Sequence, residues 1–214
     1  MQKAVDEIAR GAVGQGTSVE TSVGTLVPGM AAVMGLAPEK IEALISEWKA
    51  GGNTCLKDLY AANINSPRQT AVSGTAEALK EAESLFIAAG AKRCIRLQVN
   101  CPFHSHLLSG AAQEFTPHIE KVPFKDPQIP LYSNVSGKRV SSGEEAKKLA
   151  IAQFTNAVRW TDEEASIAAA GGIECLLEVG PGKVLQGLWK DSGSNLPCYA
   201  AGTLAEINEL IQRS

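Results

Sequence analysis

Residues 75–99, TAEALKEAESLFIAAGAKRCIRLQV, join a helical pattern to a strand pattern and decide the fold of the first half of the chain. Between residues 75 and 89, apolar side chains recur at spacings of three and four, the period of a helix that packs one face onto a sheet. These side chains are Ala76, Leu79, Ala82, Leu85 and Phe86. Residues 91–99 then predict a strand that closes the unit.

Upstream of this stretch, apolar segments and a further helical pattern alternate. The sequence predicts strands over residues 30–36, 59–64 and 69–73, with a helix over residues 38–49. An Asn-Ser-Pro turn separates the second strand from the third. The order from residue 30 to residue 99 is therefore βαββαβ, the split-βαβ or ferredoxin-like arrangement, in which two helices cover one face of a four-stranded sheet.

The flanking regions differ in pattern. Residues 1–10 predict a helix, and the Gly-, Ser- and Thr-rich residues 11–28 predict a loop or insertion. Beyond residue 99, helices alternate with short strands at residues 129–132, 174–178 and 198–200, as in part of a parallel α/β layer whose other strands lie elsewhere. We therefore predict an α/β protein in three parts: residues 1–28, 29–99 and 100–214.

Composition excludes several classes of partner. The net charge of -3 comes from interspersed acidic and basic residues, so no basic stripe predicts a nucleic-acid or membrane-surface partner. The five cysteines are odd in number and form no C-x-x-C pair, a usage typical of free thiols in a reducing cytoplasm. No apolar run approaches the roughly 20 residues of a membrane span, so we expect a cytoplasmic protein.

The three histidines supply the main chemical candidates. His104 lies in residues 101–106, CPFHSH, directly after the closing strand, where a proline-held turn could present a general base at the edge of a sheet. The alternative is a capping or packing histidine. His104 and His106 lack a third ligand of suitable spacing, so we predict no metal site. Cys101 could pair with His104 as a nucleophile, but a small buried thiol is the simpler interpretation.

Two glycine-containing patterns are candidates for functional motifs. Residues 177–185, LEVGPGKVL, predict a strand, a Gly-Pro-Gly turn and a helix start that could bind an anion, although the spacing matches neither a P-loop nor a dinucleotide fingerprint. No G-x-S-x-G nucleophile elbow occurs in the 214 residues. The nearest sequence, GTSVE at residues 16–20, lacks the final glycine and lies in the predicted loop.

Taken together, several segments resemble the malonyl-CoA:acyl carrier protein transacylase family, the acyltransferases of fatty acid and polyketide synthesis. The resemblance covers nearly the whole chain, and seven matches in order are more specific than any one alone. The segments are MQKAV (1–5), GMAAVMG (29–35), NINSP (63–67), GAKR (90–93), PFHS (102–105), NAVRW (156–160) and EVGPGKVL (178–185).

The resemblance implies an α/β-hydrolase-like domain with an inserted ferredoxin-like subdomain, and a role for particular residues. His104 would be the catalytic base that activates a serine, through an acyl-serine in a ping-pong reaction, with no cofactor beyond the malonyl-CoA substrate. The main-chain carbonyl of Gln153 would orient the histidine. Asn156 would support that segment, and Asn63 would border the cleft. Phe103 resembles the residue of malonyl-selective members, because its ring would crowd a methyl branch.

The resemblance also implies what is missing. Family members carry their serine elbow, oxyanion-hole glutamine and carboxylate-binding arginine before the part that corresponds to Met1. We therefore expect a histidine-bearing C-terminal portion, inactive alone, whose partners are malonyl-CoA and acyl carrier protein. It would be active only with an N-terminal portion that carries the serine, which is either separately encoded or lost by truncation. The alternatives are a noncatalytic carrier-protein-binding or scaffold module and an independent Cys101-dependent hydrolase.

Overall fold

The computed structural model of the protein describes residues 27–213. The helix predicted over residues 1–10 and nearly all of the loop predicted over residues 11–28 lie outside the described residues. The first half of the described chain contains β1 (Gly29–Met34), α1 (Pro38–Ala50), β2 (Leu59–Ser66), β3 (Gln69–Gly74), α2 (Ala76–Ala88) and β4 (Arg93–Arg96). The strands and helices follow the predicted order, with a shorter final strand than the predicted residues 91–99.

These four strands form one antiparallel sheet in the order β2-β3-β1-β4. The central strand β1 pairs with β3 from Gly29 opposite Gly74 to Met34 opposite Gln69, and it pairs with β4 on its other side. Five of its six residues are buried. The sheet therefore brings the end of β4, and with it the turn at residues 101–106, to one edge of a well-packed unit.

The two helices lie on one face of this sheet and form its main core. Thr75 caps α2, since its hydroxyl oxygen accepts a hydrogen bond from the Ala78 N–H at 3.2 Å. The ring of Trp48 on α1 contacts Phe86 on α2 edge to face, with ring centroids 4.9 Å apart. Of the five predicted core residues of α2, Leu85 is partly buried and the other four are fully buried.

The second half of the described chain is built from shorter elements. They are α3 (Ser109–Glu120), β5 (Tyr132–Ser133), β6 (Lys138–Arg139), α4 (Gly143–Ala152), α5 (Trp160–Ala169), β7 (Leu176–Glu178), α6 (Val184–Asp191), β8 (Cys198–Ala200) and α7 (Leu204–Arg213). Strands β7 and β8 pair in parallel, as expected for an α/β layer. No helix within residues 27–213 is long and apolar enough to cross a membrane.

The prediction that residues 129–132 form a strand of the parallel layer was wrong. The chain instead forms the antiparallel hairpin β5-β6, and Ile129 is 77% exposed. The cause is local: the Gly137 N–H donates to the Ser133 carbonyl at 2.8 Å, and Gly137 takes a φ of 62° that favours glycine. A tight turn at Gly137 therefore pairs the strand with its own neighbour in sequence.

Backbone hydrogen bonds connect the two halves. Val158, just before α5, forms a parallel bridge with Asn63 at the outer side of β2. The Ile64 N–H donates to the Val158 carbonyl, and the Val158 N–H donates to the Ala62 carbonyl, both at 2.8 Å. This bridge holds the segment between α4 and α5 against the edge of the small sheet.

Candidate active site

His104 lies on a tight turn that follows the four-stranded sheet. Its φ is 59°, and it is the one non-glycine residue with a positive φ among residues 27–213. Ser105 is buried, and its hydroxyl donates to the Pro102 carbonyl at 2.6 Å. Because a left-handed backbone is costly for a residue with a Cβ, the surrounding turn must impose it. Sequence reasoning missed this role of Ser105.

The turn brings His104 to the end of α4. His104 Nδ1 lies 3.0 Å from the main-chain oxygen of Gln153, the residue that ends the helix. The last carbonyls of a helix have no partner within the helix, so they are available to other donors. The imidazole N–H supplies such a donor, and the helix end in turn fixes the ring.

This contact determines the proton position on the imidazole. A carbonyl oxygen only accepts, so Nδ1 must carry the proton and Nε2 is left with its lone pair. The side-chain nitrogen of Gln153 also lies 3.0 Å from Nδ1. Since a protonated Nδ1 cannot accept from that amide, the amide is best assigned with its oxygen towards the ring. Nε2 is therefore the nitrogen that is free to act as a base.

Burial lowers the pKa of His104 below 6.5, while the hydrogen bond to the Gln153 carbonyl opposes this by raising it. Burial has the larger effect because removal from water disfavours the imidazolium ion. At pH 7 the imidazole is therefore neutral. A neutral ring with a free Nε2 is the protonation state that general-base catalysis requires.

Asn156 lies on the same helix end as Gln153. Its side-chain amide donates to the Ala152 carbonyl at 2.8 Å and to the Thr155 hydroxyl at 3.3 Å. The Ala152 carbonyl also accepts from the main-chain N–H groups of Thr155 and Asn156. These bonds satisfy the carbonyl that precedes Gln153 and close the helix end.

Phe103 is half-buried between two apolar clusters. On one side it contacts the cluster of Cys101, Leu108 and Ala111, and on the other the cluster of Met30, Ala62 and Ala71. Its ring is tilted against His104, with centroids 6.5 Å apart. The residue therefore ties the histidine turn to the small sheet in addition to any effect on acyl selectivity.

Asn63 is half-buried on β2, at the bridge to Val158. The strand is irregular here, since its register against β3 shifts between Ala61 and Asn63. The structure thus places Asn63 at the junction with the segment that carries Gln153 and Asn156. Within residues 27–213, no hydrogen bond joins it to His104. Its role at the cleft stays a prediction.

The remaining histidine and cysteine candidates lie elsewhere in the turn. Cys101 is buried against Leu108 and Ala111, which favours the packing interpretation of this thiol. His106 is exposed and contacts the Tyr60 ring edge to face at 5.8 Å, so it packs against β2. Within the described residues, no group of three His, Cys, Asp or Glu side chains is arranged to hold a metal ion.

The Gly-Pro-Gly segment does not present an open anion site. A Glu178 carboxylate oxygen accepts the Gln186 N–H at 2.8 Å in the first turn of α6, the position that an anion would take. Lys183 forms an ion pair with Glu206 at 3.1 Å. A Cβ at Gly202 would lie 1.9 Å from the Gly180 carbonyl oxygen, so the turn is also a close backbone junction.

The fold and the oriented histidine define a mixed α/β protein with a general-base geometry. The sequence profile of the acyl transferase domain family matches residues 5–207. The chain belongs to this family.

Known proteins are similar to the chain over most of its length. It is 34% identical over 183 residues to the malonyl CoA-acyl carrier protein transacylase of Bacillus subtilis, covering 86% of this chain and 56% of that protein. It is 37% identical over 161 residues to the Escherichia coli K12 transacylase, covering 75% and 50%. The chain therefore spans about half the length of the curated relatives it matches.

Solved structures of malonyltransferases superpose on nearly the whole chain. A malonyl-transacylase in complex with its type II PKS acyl-carrier protein superposes with a TM-score of 0.85 at 30% identity, covering 99% of this chain and 63% of that one. The acyl-carrier-protein S-malonyltransferase of Burkholderia pseudomallei superposes with a TM-score of 0.81 at 30% identity, covering 98% and 64%. The architecture is therefore that of the malonyltransferases.

Proposed function

We propose that this chain is the histidine-bearing C-terminal portion of a transacylase that moves malonyl from coenzyme A to acyl carrier protein in fatty acid biosynthesis. The observation that carries the proposal is the 3.0 Å contact between His104 Nδ1 and the Gln153 carbonyl, on a turn that follows a sheet strand. No G-x-S-x-G elbow occurs in the sequence. The nucleophile would therefore lie outside these 214 residues.

His104 would act as the base in both halves of the reaction. Nε2 takes the serine proton as the serine oxygen attacks the malonyl thioester, and it returns that proton to the departing coenzyme A sulfur. The carrier-protein thiol then gives its proton to Nε2, attacks the malonyl-serine and releases the serine oxygen, which recovers the proton. The Gln153 carbonyl stabilises the imidazolium that forms in each half.

The arrangement of the helices and strands supports the proposed function. We assign residues 29–99 to a ferredoxin-like subdomain, an assignment that the βαββαβ order and the strand order β2-β3-β1-β4 support. Residues 100–214 would be the C-terminal part of an α/β-hydrolase-like domain, with residues 1–28 as a separate leading segment. The parallel pair β7-β8 would belong to its sheet.

Exposed apolar side chains around β7 provide a surface for the second portion. Leu177, Val179 and Val184 are 51%, 82% and 70% exposed. Parallel strands are normally covered on both faces by other elements, and the malonyltransferase of Burkholderia pseudomallei has over a third of its chain outside the superposed region. A serine-bearing portion that extends the β7-β8 sheet would cover this surface.

Phe103 is the residue that favours malonyl as the acyl unit. Its ring adjoins His104 and would narrow the space for a branched acyl group. A methyl group is discriminated by about 1 to 3 kcal/mol in such pockets, so the expected preference for malonyl over methylmalonyl is roughly tenfold or more. Acyl carrier protein would be the second substrate, because the similar proteins are transacylases of that carrier.

The test is reconstitution. This chain is mixed with an N-terminal portion of a malonyl transacylase that carries the serine elbow, and malonyl transfer to acyl carrier protein is measured. We expect activity from the mixture and from a His118→Ala control, since His118 is exposed on α3. The His104→Ala mixture should lose roughly a thousandfold or more in turnover.

Equal turnover from the His104→Ala and unsubstituted mixtures would overturn the catalytic assignment. Tight binding of acyl carrier protein by this chain alone, with no activity from any mixture, would instead support the noncatalytic binding module. Thiol-sensitive esterase activity of the unmixed chain would support the Cys101-dependent alternative.

A further inference from the structure

A second cleft lies on the far side of α5 from the hairpin, between that helix, the β2–β3 turn and the end of α6. Its volume is about 280 Å³. The proposed transacylase chemistry does not use it. Its lining residues are Pro67, Thr161, Glu164, Ala165, Ala168, Ser192, Gly193 and Ser194.

Glu164 is the unusual member of this lining. It is 2% exposed, and within the described residues neither of its carboxylate oxygens has a hydrogen-bond partner of acceptable geometry. The indole N–H of Trp160 is near enough to favour the charged form, yet it too makes no such hydrogen bond. Ionisation of a buried carboxyl without hydrogen-bond donors is strongly unfavourable, so the group requires a proton or a cation.

The charged groups that act on Glu164 add to this requirement. Glu163 on the same helix is buried, with one unpartnered oxygen, and Asp191 at the end of α6 is also acidic. Both raise the pKa of Glu164, in addition to the larger effect of burial. The cleft is therefore a region of negative potential in which a cation would be stabilised.

The chemistry of the lining selects among cations. The described residues contain no group of three metal-ligating side chains, so a metal ion would lack ligands here. Pro67, Ala165 and Ala168 give the cleft apolar walls, while Thr161, Ser192 and Ser194 add hydroxyl groups. An ammonium group on an alkyl stem matches both features, because its stem contacts the apolar walls and its N–H groups donate to the hydroxyls. Its positive charge offsets that of the Glu164 carboxylate, whose oxygens are themselves almost fully buried.

We propose that this cleft is a binding site for an alkylammonium group whose charge pairs with the Glu164 carboxylate. The group is either a free primary amine or the lysine side chain of a polypeptide, since both offer the same stem and head. Ser192 and Ser194 hold the wall opposite α5: the Ser192 hydroxyl donates to the Trp189 carbonyl at 2.7 Å and accepts the Ser194 N–H at 3.2 Å.

Binding is tested on the full chain with two probes, n-butylammonium chloride and Nα-acetyl-lysine methylamide, followed by chemical shifts of the ¹⁵N-labelled protein. A single small ligand with one ion pair should bind with a Kd on the order of millimolar. We expect saturable shifts at Thr161, Ala168 and Gly193. The uncharged analogue n-butanol should give no saturable shifts at these positions.

Two variants test the residues. Glu164→Gln keeps the side-chain shape and removes the charge, so affinity should fall about tenfold or more. Ala168→Leu fills the cleft on a residue that lines it and should abolish binding without altering the carboxylate. Glu174→Gln, an exposed acidic residue outside the cleft, makes the same charge change and should leave affinity unchanged.

The outcomes distinguish a free amine from a lysine side chain as the ligand and test the proposal itself. Binding of both probes assigns the site to lysine side chains as well as free amines, and binding of butylammonium alone assigns it to free amines. Saturable butanol shifts equal to those of butylammonium, no saturation by either probe up to roughly fifty times the expected Kd, or unchanged affinity in Glu164→Gln would overturn it.

Discussion

At the scale of single residues, the pKa and the proton position of His104 follow from different neighbours. Burial disfavours the imidazolium, and the Gln153 carbonyl fixes the remaining proton on Nδ1. An aspartate in place of the carbonyl would hold the same tautomer but would raise the pKa much further. A neutral orienting group therefore leaves the base unprotonated over a wider pH range.

The neutral orienting group predicts the pH profile of the enzyme reconstituted from this chain and a serine-bearing portion. The kcat/KM should rise with pH through the pKa of His104, which lies below the usual 6.5, and should be level from there through neutral pH. The measurement is kcat/KM for malonyl transfer across pH 5 to 8. A profile whose acidic limb lies above pH 6.5 would contradict the proposed effect of burial.

The contact between His104 and the Gln153 carbonyl could be expected from the resemblance to the family, because the residues lie in or just before the short motifs PFHS and NAVRW. The left-handed backbone conformation of His104 could not be predicted from the sequence. It depends on the Ser105 hydroxyl and on packing of Phe103 between two clusters, and both are products of tertiary contacts. The buried Glu164 was also missed, because a charged residue in a helix ordinarily faces solvent.

At the scale of elements, α5 carries the carboxyl group of Glu164, whose protonated form is favoured in the folded state. Burial raises the pKa of Glu164 from 4.5 to about 7. Between these values the folded chain holds a proton that the unfolded chain has released, so the free energy of unfolding falls as pH rises from about 4.5 to about 7 and is level above.

The Glu164→Gln variant should remove this dependence. At pH 8 we expect it to be more stable than the unsubstituted chain by about 1 to 3 kcal/mol, with little difference at pH 4.5. Urea unfolding at both pH values measures the effect, and Glu174→Gln serves as the matched control. A variant that is less stable at pH 8 would show that the carboxylate has a favourable partner in the fold.

Helix and strand periodicity predicted residues 29–96 well, since α1 and α2 bury apolar faces on a four-stranded sheet. The same reasoning failed for residues 129–132. There the turn at Gly137 decided the pairing, and a short apolar run does not reveal whether its partner is the next strand or a distant one.

At the scale of the whole molecule, the bridge at Val158 couples the two halves. Val158→Pro removes the N–H that bonds the Ala62 carbonyl, and we expect a loss of about 2 to 3 kcal/mol in the free energy of unfolding. Ala157→Pro is the control, because the N–H of Ala157 is not part of the bridge.

Hydrogen exchange locates the effect of Val158→Pro. The Ile64 amide, which donates to the Val158 carbonyl, should lose protection, while the amides of β1 should keep theirs. Equal loss of protection throughout the small sheet would indicate global destabilisation instead of a broken junction.

The Val158 bridge also bears on self-association. Strand β2 lies at one edge of the small sheet, and an open edge is a template for pairing with another chain. Val158 occupies part of that edge, and the opposite edge strand, β4, exposes Arg93 and Arg96, whose charges repel a second copy. Both edges of the sheet are thereby protected, so loss of the bridge would expose β2 to intermolecular β-pairing and aggregation.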